Sequence, residues 1–262
     1  QCDLIRRSGF ERCVPLDVSV KIVVYLSVSC VVPLLSLVLF PGLPVAAKMP
    51  ENIFLFVPNI IGYSRIVLAL ISFYFMPTHC LVASICYGVS AFLDCIDGHA
   101  ARMFNQSTKF GAMLDQLTDR CGTMCLLVVL ASFYPRYSFL FMLSMSIDIA
   151  SHWLHLHTSL LSGRDNHKNM DAADNPIMKL YYTNKPVLFT MCVGNEAFYG
   201  GLYLLHFTQG PTLFAGMGIF RLLTGICAPI AVAKTFVSLL QMQIAAVNLG
   251  AVDVRERSKR AE

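Results

Sequence analysis

Asp94-Cys95-Ile96-Asp97-Gly98-His99-Ala100-Ala101-Arg102, eight further residues, and Gly111-Ala112-Met113-Leu114-Asp115-Gln116-Leu117-Thr118-Asp119 form the segment on which the architecture of this 262-residue chain turns. Its four aspartates fall in two pairs, three and four residues apart, so on a helix each pair shares one face. Long apolar runs surround them. A carboxylate at mid-bilayer costs on the order of 2.5–3.5 kcal/mol on insertion scales and is therefore a functional signal. Four such groups together repel one another unless cations bind between them. The spacing and setting point to a two-metal site that handles a diphosphate.

Working outward, the chain is 56% hydrophobic and 14% charged, against about 25% charged in an average soluble domain. Apolar segments recur at 53–76, 80–96, 114–134, 137–157, 186–207 and 213–240. Several approach the roughly 20 residues that a spanning helix needs. An all-α, polytopic membrane protein with six transmembrane helices is expected. The short connections at 77–79, 135–136 and 208–211 carry one basic residue, Arg136. The others hold Arg102 and Lys109, then Arg164, Lys168, Lys179 and Lys185, and the tail adds Arg255, Arg257, Lys259 and Arg260. Positive-inside bias puts this second set, and the acidic ends of the second and third spans, on the cytoplasmic side.

Net charge is +4, which gives no sign of nucleic-acid binding. The ten cysteines show no zinc or disulfide spacing and read as small buried hydrophobes.

Residues 1–48 stand apart from the membrane domain at 49–262. The stretch 18–43 is apolar enough to span, but Pro33 and Pro41 interrupt it, and spanning would leave Arg6, Arg7 and Arg12 on the wrong side. Met49-Pro50-Glu51 precedes the first convincing element. The extension is either an extra hydrophobic helix or, the favoured reading, sequence upstream of the true start.

The pattern Asp-x-x-Asp-Gly-x-x-Ala-Arg, eight residues, Gly-x-x-x-Asp-x-x-x-Asp resembles the signature of the CDP-alcohol phosphotransferases, and every fixed position is filled. Over 49–259 the chain is similar to the eukaryotic members of that family that make phosphatidylinositol. The most telling stretches are 52–65, 93–125, 151–158 (Ser-His-Trp-Leu-His-Leu-His-Thr) and 181–186. The resemblance implies transfer of a phosphatidyl group from CDP-diacylglycerol to myo-inositol, releasing CMP. It also implies a six-helix bundle, a homodimer in the lipid bilayer, Mg2+ or Mn2+ (two divalent ions) and an active site open to the cytoplasm. Lys259-Arg260 only loosely resembles a dibasic retrieval signal for the endoplasmic reticulum, the membrane expected here.

On this reading Asp94, Asp97 and Asp115 look like ligands for hard divalent cations. Asp119 serves the second ion and also accepts the proton of the attacking hydroxyl. Gly98 and Gly111 let backbone approach the nucleotide, and by resemblance they line the cytidine site with Ala101. Arg102 presents a planar fork suited to phosphate oxygens. Pro58-Asn59-Ile60-Ile61-Gly62-Tyr63-Ser64-Arg65 resembles the family's Pro-Asn-x-x-Thr-x-x-Arg, with Gly62 where threonine is common. Asn59 is assigned to the nucleotide site; Arg65 touches phosphate or pairs with a carboxylate.

Ser144, Asp148, Ser151, His152 and His155 make one polar stripe on a helix. Hydroxyl, imidazole and carboxylate groups without Lys or Arg suit a neutral polyol, which makes Asp148, Ser151, His152 and His155 candidate inositol contacts. Structural hydrogen bonding is the competing reading of the histidines. Three alternatives bear on the whole chain: another acceptor (choline, ethanolamine, serine or glycerol phosphate), an intramembrane prenyltransferase, or a divalent-cation transporter. Prenyltransferases lack the Gly-x-x-Ala-Arg spacing, and a transporter would mirror its acidic residues across the membrane.

Overall fold

A computed structural model describes residues 51–161, 176–214 and 216–261. The apolar stretch at 18–43 and most of the polar loop that follows residue 162 lie outside them. A 3-10 turn, Ile53–Leu55, leads into α1 (Val57–Phe75), which starts where Pro58 supplies a preset first turn. α2 (Cys80–Met103) and α3 (Lys109–Phe133) follow. A second 3-10 turn at Pro135–Tyr137 opens α4 (Ser138–Leu161). Then come the short α5 (Pro176–Thr183) and α6 (Lys185–Phe207), which is capped by the Asn184 side chain accepting from the Val187 N–H. A small antiparallel ribbon, β1 (Thr212–Phe214) with β2 (Met217–Gly218), precedes the 43-residue α7 (Ile219–Ala261).

Apart from that ribbon every described element is helical, as the long recurrent apolar runs imply. Among the described residues four stretches are long and apolar enough to cross a membrane: Val57–Phe75, Cys80–Met103, Pro135–Leu161 and Ile219–Arg260. The sequence leads one to expect six. α3 and α6 have the length, with 25 and 23 residues, but polar groups dilute them. Asp115, Asp119 and Arg120 do so in α3, and Lys185, Asn195 and Glu196 in α6. The side chains left outermost are those lipid would cover: Leu81, Phe92, Phe139, Trp153 and Val232 are 66–73% exposed. In water such patches would be an association hazard; in a bilayer they face a solvent as apolar as themselves.

Contacts divide the chain within α3 into two compact units, Gln1–Cys125 and Leu126–Glu262. In the first, α1 packs along α2 and is tied to it by polar links. Ser72 Oγ donates to the Ala83 carbonyl at 2.8 Å, and Ser90 Oγ donates to the Arg65 carbonyl at 3.1 Å. Tyr63, Ile66 and Leu114 form its apolar centre, with Leu70 and Phe110 against them.

In the second unit α7 packs against both α4 and α6. Small residues allow the α6–α7 approach: a Cβ on Gly194 would lie 2.5 Å from Ile230 Cγ2, and one on Gly201 would collide with Thr224 Oγ1. Met178, Tyr181 and Val237 are buried beside Leu188, Met191, Leu240 and Ile244. Two features depart from the sequence reading. The last helix runs to Ala261 instead of ending near 240, and α5 forms within a stretch read as loop.

Candidate metal centre

The turn between α2 and α3 is what brings the two acidic helix ends together. Asn105 adopts a left-handed φ of 54°, a conformation asparagine tolerates better than most residues. Next to it the Gln106 N–H returns to the Ala101 carbonyl at 2.9 Å, which closes the end of α2. Thr108 then caps α3, its Oγ1 accepting from the Gly111 N–H at 2.9 Å. Gln106 Oε1 also accepts from the Val57 N–H at 3.0 Å, so the same turn holds the start of α1.

Within that frame all four aspartates of the signature converge. One ligand atom each from Asp94, Asp97 and Asp115 can lie within 4.8 Å of the others. Unit charges that close repel by roughly 3–4 kcal/mol per pair at an effective dielectric of about 20. The balancing charge is Arg65 of α1. Its Nη1 reaches Asp97 Oδ2 at 2.7 Å and Asp115 Oδ1 at 2.6 Å, while Nη2 reaches Asp94 Oδ1 and Asp119 Oδ1, each at 2.6 Å. Carboxylate pairing, one of the two readings of Arg65, is therefore what the structure contains, and with four partners. The guanidinium is 2% exposed, whereas the side chains of Asp94, Asp115 and Asp119 are 38%, 46% and 37% exposed. Arg65 and Asp97 lie beneath, and the other three acid groups open outward. A cluster of hard carboxylate oxygens still in excess over a single cation could hold a divalent metal ion.

The other signature residues surround this cluster. Asn59 is buried and its Nδ2 donates to the Ile53 carbonyl at 2.6 Å. Its Oδ1 would lie only 2.8 Å from a Cβ on Gly111, so glycine is what lets α1 and α3 meet there. Gly62 plays a related part: a Cβ there would sit 2.9 Å from Leu114 Cδ2. The glycine in place of the family's threonine thus goes with a leucine filling the space. Gly98 is different, since a Cβ would meet only Arg102, at 3.7 Å from Nη1. Arg102 is exposed, makes no ion pair among the described residues, and extends its guanidinium back over Gly98. Ala101 is half-buried on the turn before it.

The polar stripe lies in the second unit. Ser151 is fully buried and donates to the Asp148 carbonyl at 3.0 Å. His152 Nδ1 lies 2.8 Å from that carbonyl and 3.5 Å from Asp148 Oδ1. Ser144 meets the Tyr199 hydroxyl at 2.6 Å, and His155 stacks on Tyr182 with ring centroids 6.2 Å apart. These contacts supply concrete partners for the structural reading of the histidines.

Two features escaped the sequence reading. The hub role of Arg65 is one. The other is Lys234, buried in α7 at 3.4 Å from Ser238 Oγ and 5.6 Å from the Tyr181 ring centre. Its signal was available: it is the sole charged residue between 222 and 240.

A helical membrane chain that gathers this signature into one acidic cluster has the features of a class of intramembrane phosphotransferases. The family model for CDP-alcohol phosphatidyltransferase matches residues 55–168, and the chain belongs to that family. Among its relatives, the CDP-diacylglycerol–inositol 3-phosphatidyltransferase of Rattus norvegicus is 57% identical over 213 residues, covering 81% of this chain and 100% of the relative. The Drosophila melanogaster protein of the same name is 56% identical, covering 81% and 92%. That of Saccharomyces cerevisiae is 36% identical, covering 80% and 93%. No solved structure matches this one.

Proposed function

We propose that the chain transfers the phosphatidyl group of CDP-diacylglycerol to myo-inositol, yielding phosphatidylinositol and CMP. The observation that carries this reading is the convergence of all four signature aspartates on one point, in a chain that covers the full length of the Rattus norvegicus relative bearing that activity's name. Asp94, Asp97, Asp115 and Asp119 would hold two divalent ions. Such ions would supply positive charge to offset that of the diphosphate and of the departing nucleotide.

The remaining chemistry belongs to the protein. Asp119 accepts the proton as an inositol hydroxyl oxygen bonds to the phosphorus that carries diacylglycerol. The bond from that phosphorus to the CMP oxygen breaks, and CMP leaves with the electron pair. Arg102 steadies the phosphates, and Asn59, Gly98, Ala101 and Gly111 shape the nucleotide site. Asp148, Ser151, His152 and His155 contact inositol; hydroxyl and imidazole groups without a cation in the stripe support a neutral acceptor.

The same reading includes six spans, with α3 and α6 as the two polar ones, a homodimer, the endoplasmic reticulum membrane and a site facing the cytoplasm. The basic connections support that orientation. Purified protein given CDP-diacylglycerol and each alcohol in turn tests the acceptor. Lipid product with inositol, and none with choline, ethanolamine, serine or glycerol phosphate, is expected. Product with one of those and none with inositol overturns it.

A further inference from the structure

The centre of the acidic cluster is shared ground. Arg65 contacts one oxygen from each of the four aspartates, two through Nη1 and two through Nη2. These are the same carboxylates assigned above to divalent ions. The guanidinium is buried, and its Nε–H has no partner among the described residues, so its two terminal nitrogens make all its contacts with the cluster. Ser90 donates to the Arg65 carbonyl, which ties the backbone of α1 to α2, so withdrawal from the carboxylates would have to come from the long side chain. Each oxygen now 2.6–2.7 Å from an Arg65 nitrogen cannot serve fully as a metal ligand while that contact lasts, because the ion would then lie close against the guanidinium charge.

We propose that Arg65 is an internal counter-cation that competes with divalent metal for the four aspartates, and that metal loading requires its guanidinium to give up carboxylate oxygens. The inference rests on the metal reading of the cluster and adds a device to it. The arginine neutralises the acid groups within the membrane domain before metal arrives. It also weakens metal binding, because only the fraction of molecules with the guanidinium withdrawn is competent to bind. The opposite role, an arginine that preorganises the ligands for metal, makes the opposite prediction.

Titration calorimetry of Mn2+ into wild type, Arg65→Gln and Arg65→Lys, without nucleotide lipid, separates the two. Competition predicts that Arg65→Gln binds Mn2+ at least about tenfold more tightly than wild type. Arg65→Lys, with a smaller donor set, falls between them. It also predicts that Arg65→Gln melts well below wild type in EDTA and that saturating Mg2+ closes most of that gap. Unchanged or weaker Mn2+ binding by Arg65→Gln overturns the proposal. So does failure to recover a folded Arg65→Gln protein at saturating Mg2+, since the residue is then an irreplaceable structural element. A wild-type protein that binds no Mn2+ would instead defeat the metal reading on which the proposal stands.

Discussion

Asp94 and Asp119 touch the same guanidinium nitrogen at the same 2.6 Å, yet in the proposed reaction only Asp119 adds proton acceptance to metal binding. Asp119→Asn removes the proton acceptor, and general-base losses are about 10^2–10^4-fold in rate. Turnover should therefore fall by at least about 10^2-fold while CDP-diacylglycerol binding is better retained. Asp94→Asn should lower Mn2+ affinity as well; calorimetry with Mn2+ and a CMP-exchange assay together resolve the two variants. Full activity in both would remove the two-metal assignment. The two signature glycines offer a second contrast. An alanine at Gly111 presses on Asn59, which is buried and held by the Ile53 carbonyl, so it should destabilise by about 1–3 kcal/mol. At Gly98 the same change meets only Arg102 at ordinary contact distance. There alanine should hold or raise stability, by up to about 1 kcal/mol from helix propensity. Gly98→Ala should nonetheless raise the KM for CDP-diacylglycerol if backbone approaches the nucleotide there, and an unchanged KM would release Gly98 from the site.

Helices α6 and α7 cross on glycine. Gly194→Leu or Gly201→Val would drive side chains into Ile230 or Thr224, whereas Gly200→Ala and Gly225→Ala meet nothing within 4 Å. The first pair should lower the melting temperature in detergent and cut folded yield, at a cost of about 1–3 kcal/mol or more; the second pair should be near neutral. Equal behaviour of the pairs would contradict the close crossing. These elements also show what could be read from sequence. The helices that became α1, α2 and α4 announce themselves by long, mainly apolar runs, and the aspartates of α2 and α3 by their three- and four-residue spacing. The course of α7 past residue 240 did not, because Gln, Ala, Glu and Arg favour a helix without marking an apolar face. α5 was hidden by its length of eight residues. Arg65 lies 32, 50 and 54 residues from Asp97, Asp115 and Asp119, so no local pattern could show that one side chain joins them. The turn at Asn105 and Thr108 creates that meeting, and neither residue carries any chemistry of its own.

At the scale of the whole molecule, the described helices display hydrocarbon along their length. They carry exposed charge toward helix ends and the tail, as at Arg102, Lys109, Lys185 and Arg257, which is the pattern of a chain built for a bilayer. Its acidic cluster is the exception, and the account requires that exception to be a cation site. The most direct test is incorporation of labelled inositol into lipid by the purified protein in mixed micelles containing CDP-diacylglycerol. Labelled phosphatidylinositol should form, stop completely when EDTA is added, and resume when Mg2+ or Mn2+ is restored in excess. Product that continues unchanged in EDTA would contradict the claim that these four aspartates work by holding metal.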